Sequence, residues 1–152
     1  MMKHEKMVEF LVRGVCVKKG RLLVCQSKGA VNTFLPGGHV EFGEKAVVGL
    51  AREIQEELGV KARIGGFLGA VEHEFVQKGQ RHCEVNLVFR MDVPSLAPDS
   101  DPAACEHWIS FAWIALDALG RRHLEPWPLR KLIPAWLSAK SEPCRWGSTI
   151  GA

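Results

Sequence analysis

The chain has 152 residues, 47% of them apolar and 24% charged, with 20 basic residues against 17 acidic ones and a net charge of +3. That apolar fraction excludes a disordered chain and suffices for the core of one compact domain. The weak positive balance argues against a nucleic-acid polymer as partner, and no apolar run nears the roughly 18–20 residues of a membrane-spanning helix.

The opening MMKHEKMVEF carries no apolar signal-peptide core, so a cytoplasmic protein is expected. Residues 8–18 and 21–26 are apolar runs joined by Lys19-Gly20, and they predict a β-hairpin. A loop at 27–33 leads to Phe34-Leu35 and then Pro36-Gly37-Gly38, where the backbone can approach a ligand closely. Residues 44–58 predict a helix stopped by Gly59, with Val47, Leu50, Ala51, Ile54 and Leu58 on its apolar stripe. Segments 61–76 and 81–93 read as strands joined by a turn at 77–80. Residues 93–103 hold three prolines and read as a mobile surface loop, 107–115 as a strand, and 124–139 as a helix containing Pro134. The pattern predicts an α/β fold with a mixed central sheet between helical layers, spanning 1–152 as one domain. Its core runs from about 7 to 140, with a flexible tail at 141–152. Cys16, Cys25, Cys83, Cys105 and Cys144 form no zinc spacing and read as reduced thiols.

The informative stretch is GHVEFGEKAVVGLAREIQEELGV, residues 38–60. On a helix, Glu53, Glu56 and Glu57 project within about a 100° arc beside the apolar stripe. Carboxylates so close repel one another unless a cation offsets them. Hard oxygen donors grouped this way suit Mg²⁺ or Mn²⁺, which also bind phosphate oxygens.

Gly38, Glu44, Arg52, Glu53, Ile54, Glu56, Glu57, Gly59 and Val60 fill every defined position of the Nudix box, and the chain resembles that family. Such a match arises by chance about once in 10⁹ starting points. The resemblance implies a Nudix-type α/β/α sandwich and hydrolysis of a nucleoside diphosphate linked to another moiety. It implies metal ligation by Glu53, Glu56, Glu57 and the Gly38 carbonyl, with Arg52 and Glu44 orienting the helix carboxylates. Family members place the general base on the box helix, here Glu53 or Glu57, or on a loop outside it, here Glu106. Glu84 matches an acidic position of some relatives.

Substrate choice is less legible. The chain has no Tyr, has Val76 where typical ADP-ribose enzymes carry proline, and has His39 where 8-oxo-dGTP enzymes commonly carry Lys. Phe34, Gly37, Gly38, His39 and Trp127 are the substrate-binding candidates. Trp113 reads as core, and His73, His82 and His107 read as surface or hydrogen-bonding residues. The preferred expectation is a (d)NTP, normal or oxidised, cut to NMP and pyrophosphate. The alternatives are an ADP-ribose or nucleoside diphosphate sugar pyrophosphatase, and a non-catalytic nucleotide-sensing module. The expected partner is a small nucleotide with no membrane involved, and a homodimer stays open.

Overall fold

The apolar run at 8–18 does not fold as one arm of a hairpin. In a computed structural model describing residues 6–138 and 142–152, it breaks at Cys16 into β1 (Val8–Val15) and β2 (Val17–Lys18). Only β2 turns back through Lys19-Gly20 onto β3 (Arg21–Ser27). β1 instead lies parallel to β7 (Gln80–Asp92) and antiparallel to β5 (Gly37–His39). The expected single central sheet is therefore two mixed sheets. One has the order β10-β6-β7-β1-β5, with β6 at Arg63–Gln77 and β10 at Trp146–Ser148. In the other, β3 pairs along one edge with β8 (Ile109–Ala115) and along the opposite edge with β2 and β4 (Thr33–Phe34). β4 continues to β9 (Leu124–Glu125).

Alternation along β3 places a helix over each face. Leu22 and Val24 join the core under α2 (Leu129–Leu137), while Leu23 and Cys25 join the core under α1 (Ala46–Leu58). Leu50 and Ile54 of α1 are fully buried, each contributing about 1.5–3 kcal/mol. Val47, expected on that stripe, is exposed instead. The buried face is rotated toward Gly49 and Glu57.

The described part of the tail expected to be flexible, 142–152, contains the three-residue strand β10. β10 pairs in parallel with β6, Trp136 Nε1 donates to the Cys144 carbonyl at 2.7 Å, and Thr149 is buried. No helix among the described residues is long and apolar enough to cross a membrane.

Candidate active site

β5 and α1 bring the box residues together. Gly37 has φ +140°, and a Cβ there would fall on the Val12 carbonyl oxygen, so only glycine lets β5 lie this close to β1. At Gly38 a Cβ would meet both carboxylate oxygens of Glu53 at 2.7 Å. Glu53 thus rests directly against the Gly38 backbone. Gly38→Ala is expected to displace that carboxylate, lowering kcat about tenfold with little change in Tm. Steady-state kinetics beside a thermal melt check it. The strand survives because a flexible side-chain end, not backbone, must give way.

Arg52 organises the other carboxylates. It grips Glu44 with both Nε (2.8 Å) and Nη2 (3.0 Å). Nη1 donates to Glu53 (3.0 Å) and Glu56 (3.2 Å), and Nη2 also reaches the His39 carbonyl (3.1 Å). Glu44 fits beneath because Gly49 leaves room: a Cβ there would sit 2.6 Å from Glu44 Oε1. The Arg52 hydrogen bonds hold the Glu44 carboxyl below the usual carboxylate range.

Glu57 stands apart from this net. It is 5% exposed, and its Oε2 is buried without a hydrogen-bond partner. Burial, then the Glu53 charge, push its pKa from 4.5 to about 8, while Arg13 pulls the other way.

Glu53, Glu57, Gly37, Gly38, His39 and Phe34 all line one cleft of about 910 Å³. Glu56, 53% exposed in its side chain, does not line it, nor do Arg52 and Glu44. Trp127, expected in the substrate pocket, is absent from the cleft wall and half exposed, although Pro126 and Leu129 beside it do line the wall. Trp127 precedes α2, and its flanking residues point inward where it does not. Trp113 is buried in the α1 core.

Glu106 does not line the cleft either. The loop before it is anchored, contrary to the expectation of mobility. Lys18 Nζ donates to the Val93 and Leu96 carbonyls (both 2.7 Å), Asp101 accepts the Trp113 N–H (2.9 Å), and Cys105 N donates to the Glu57 carbonyl (2.7 Å). Glu106 therefore sits by the end of α1, where its charge adds to the upward push on Glu57.

Sequence reasoning missed most of the cleft floor. Register carries one face across the sheet: Phe75 opposite His82, then His73, Glu84 and Glu9, then Asn86 beside Leu11. Arg13 follows on the same face of β1. Its guanidinium lies over the Phe34 ring (5.5 Å to the centroid) and donates to Asn86 Oδ1 (3.2 Å) and the Leu35 carbonyl (3.1 Å). Asn86 in turn donates to Glu84 Oε1 at 3.1 Å. The available signal was polar residues at every second position of β7, His82, Glu84 and Asn86, and Glu9 and Arg13 on either side of Leu11 on one face of β1.

The NUDIX domain family matches residues 6–136 of this chain. The chain belongs to the Nudix family. It is 30% identical over 96 residues to the MutT4 protein of Mycobacterium tuberculosis, covering 62% of this chain and 37% of that one. The chain thus spans little more than a third of that relative's length. A MutT-like protein of Streptomyces ambofaciens is 30% identical over 122 residues, 80% of this chain and 73% of its own. A Nudix hydrolase from Nitrosomonas europaea shares the fold, with TM-score 0.68 over 90% of this chain and 93% of its own at 20% identity.

Nudix hydrolases use divalent metal ions, and the residues of this Nudix protein fit one. Its donors are all oxygens, three carboxylates and the Gly38 carbonyl, the Glu57 Oε2 atom is buried and unpartnered, and Glu53 is cradled on Gly38. Among the described residues no ligand cluster is already drawn together, since Arg52 holds Glu53 and Glu56.

Proposed function

We propose that this Nudix protein is a Mg²⁺- or Mn²⁺-dependent pyrophosphohydrolase that cuts a phosphoanhydride bond in a nucleoside diphosphate-linked substrate. Its preferred substrates are (d)NTPs, normal or oxidised, yielding NMP and pyrophosphate. The observation that carries the reading is the buried, unpartnered Glu57 carboxylate beside Glu53 in the wall of a cleft large enough for a nucleotide. Glu53, Glu56, Glu57 and the Gly38 carbonyl would hold the cation. Bound there, it would neutralise phosphate charge and lower the pKa of a water.

The chain's own residues do the rest. Glu44 fixes Arg52, and Arg52 fixes Glu56 and the cleft-lining Glu53. Glu53 or Glu57 takes the proton from the attacking water, because these two carboxylates line the cleft and Glu106 does not. Arg13, aligned by Phe34 and Asn86, offers a fixed guanidinium to a phosphate oxygen.

A screen of triphosphates, dinucleotides and nucleotide sugars with Mg²⁺, Mn²⁺ or EDTA tests the assignment. Cation-dependent release of pyrophosphate from triphosphates supports it. Faster cleavage of ADP-ribose or a nucleotide sugar replaces the substrate, and a ligand-induced rise in Tm without turnover replaces the enzyme with a sensor. Glu106→Gln is expected to lower kcat less than about tenfold, below the usual loss for a general base. A larger fall in kcat at unchanged KM moves the base to the loop.

A further inference from the structure

The larger sheet turns its apolar side chains away from the cleft. On β7, His82, Glu84 and Asn86 line the cleft, while Cys83, Val85, Leu87, Phe89 and Met91 alternate to the other side. On β1 the same alternation turns Val8, Phe10 and Val12 outward, opposite to Glu9, Leu11 and Arg13. The helix α1 covers only one end of this outer face, where Val12 and Met91 join its core. The helix α2 packs on the opposite side of the sheet, against Val71 and Val88.

Beyond α1 the outer face stays open. Phe10 stands opposite Val85, and Leu87 stands opposite Ala70, which in turn faces Trp146 across β10. Trp146 points outward because its neighbour points inward: a Cβ on Gly147 would meet Leu132 and Pro128 at α2. Phe89 packs against the rim of the α1 core and holds Phe67 edge-on, with ring centroids 5.4 Å apart. Phe10, Phe67 and Trp146 are each 46–51% exposed, and Val8 is more open still. Cross-strand neighbours join these side chains into one patch running over β1, β7, β6 and β10.

Three half-open aromatic side chains, together with Val8, Val85, Leu87 and Phe89, present about 500 Å² of apolar surface. A standard interface buries about 800 Å² on each partner, and about 65% of a homodimer interface is apolar. The patch matches that apolar share. The charged strand residues of this face are Glu72, Glu74 and Arg81, all toward the hairpin at 77–80. Arg81 is paired with Glu74, and Glu72 accepts from Ser148 Oγ at 2.8 Å. An anionic lipid surface or a nucleic acid therefore finds no unpaired cation among the described strand residues of the face. A flat apolar sheet face is instead matched by another of its own kind, since two sheets stack about 10 Å apart with their strands about 30° out of line.

We propose that this face is the interface of a homodimer in which two copies stack their larger sheets face to face. A two-fold axis brings the same patch from both copies, so the contact closes on itself. The cleft of each copy lies on the other face of its sheet and stays accessible.

Sedimentation equilibrium of the full chain, from about 1 to 100 µM, reads the association. The wild-type protein is expected to dimerise with a Kd of about 10 µM or tighter. Phe10→Glu and Trp146→Glu, on strands at opposite ends of the patch, are each expected to weaken the dimer at least about 30-fold while circular dichroism shows an intact fold. Phe10→Glu decides alone where Trp146→Glu fails to fold. A wild-type monomer at the highest concentration overturns the dimer, and so does a dimer that both folded variants retain. A wild-type monomer that binds phosphatidylcholine vesicles, with binding lost in Phe10→Glu, gives the face to a neutral lipid surface and overturns the second copy as occupant. No readout here uses turnover, so a failed hydrolase assignment leaves the outcome unchanged.

Discussion

Glu57→Gln is expected to lower kcat at least about 100-fold and at the same time to raise Tm at pH 8 in EDTA. The first effect follows from the loss of a cation-binding charge and a candidate base in one substitution. The second follows from linkage. The folded-state pKa of Glu57 is about 8, against 4.5 for an ordinary glutamate, chiefly because the side chain is buried. Between those values the folded protein binds more protons than the unfolded chain, so stability falls as pH rises through this window. A neutral amide removes that dependence. The two proteins should therefore differ in Tm at pH 8 and converge near pH 4.5. Adding Mg²⁺ at pH 8 should raise the wild-type Tm and scarcely move that of the variant. Thermal melts at several pH values, with and without Mg²⁺, measure all of this. A wild-type melting curve unaffected by both pH and cation would reject the role of Glu57.

Arg52→Lys is expected to cost about 10- to 100-fold in cation affinity or kcat while the protein stays folded. Arg52 donates to Glu44 from two nitrogens, to Glu53 and Glu56 from a third, and to the His39 carbonyl. An ammonium is a compact point charge and cannot span this fan of acceptors. The charge balance is kept, so any loss reports geometry. A Mg²⁺ titration of turnover reads the effect, and a curve matching wild type would show that the fork is unnecessary.

The carboxylate half of the site was legible because it is local. Gly49, Glu53, Glu56 and Glu57 share one side of one helix by their spacing alone, and Arg52 meets Glu44 only eight residues back, just ahead of the same helix. The other half was not. Arg13, Glu9, His73, Phe75, His82 and Asn86 come from strands far apart in sequence, and only pairing register puts them on one face. Their histidines carried no ligand spacing, so alternation alone could not say that this face bounds a cleft.

By itself the sequence determined the α/β class, the turn at 77–80, the box helix and its carboxylates, since each depends on spacing within one element. The tertiary structure decided where the chain at 8–18 divides, because β1 gains a longer pairing partner in β7 than β3 could offer beside β8. It decided that the segment around Trp146 is a strand, since its few residues gain order only by pairing with β6. It also decided that Trp127 stands outside the cleft, and that the loop before Glu106 is pinned by Lys18, Asp101 and Cys105. Those outcomes rest on long-range hydrogen bonds and packing, whose partners no local pattern names.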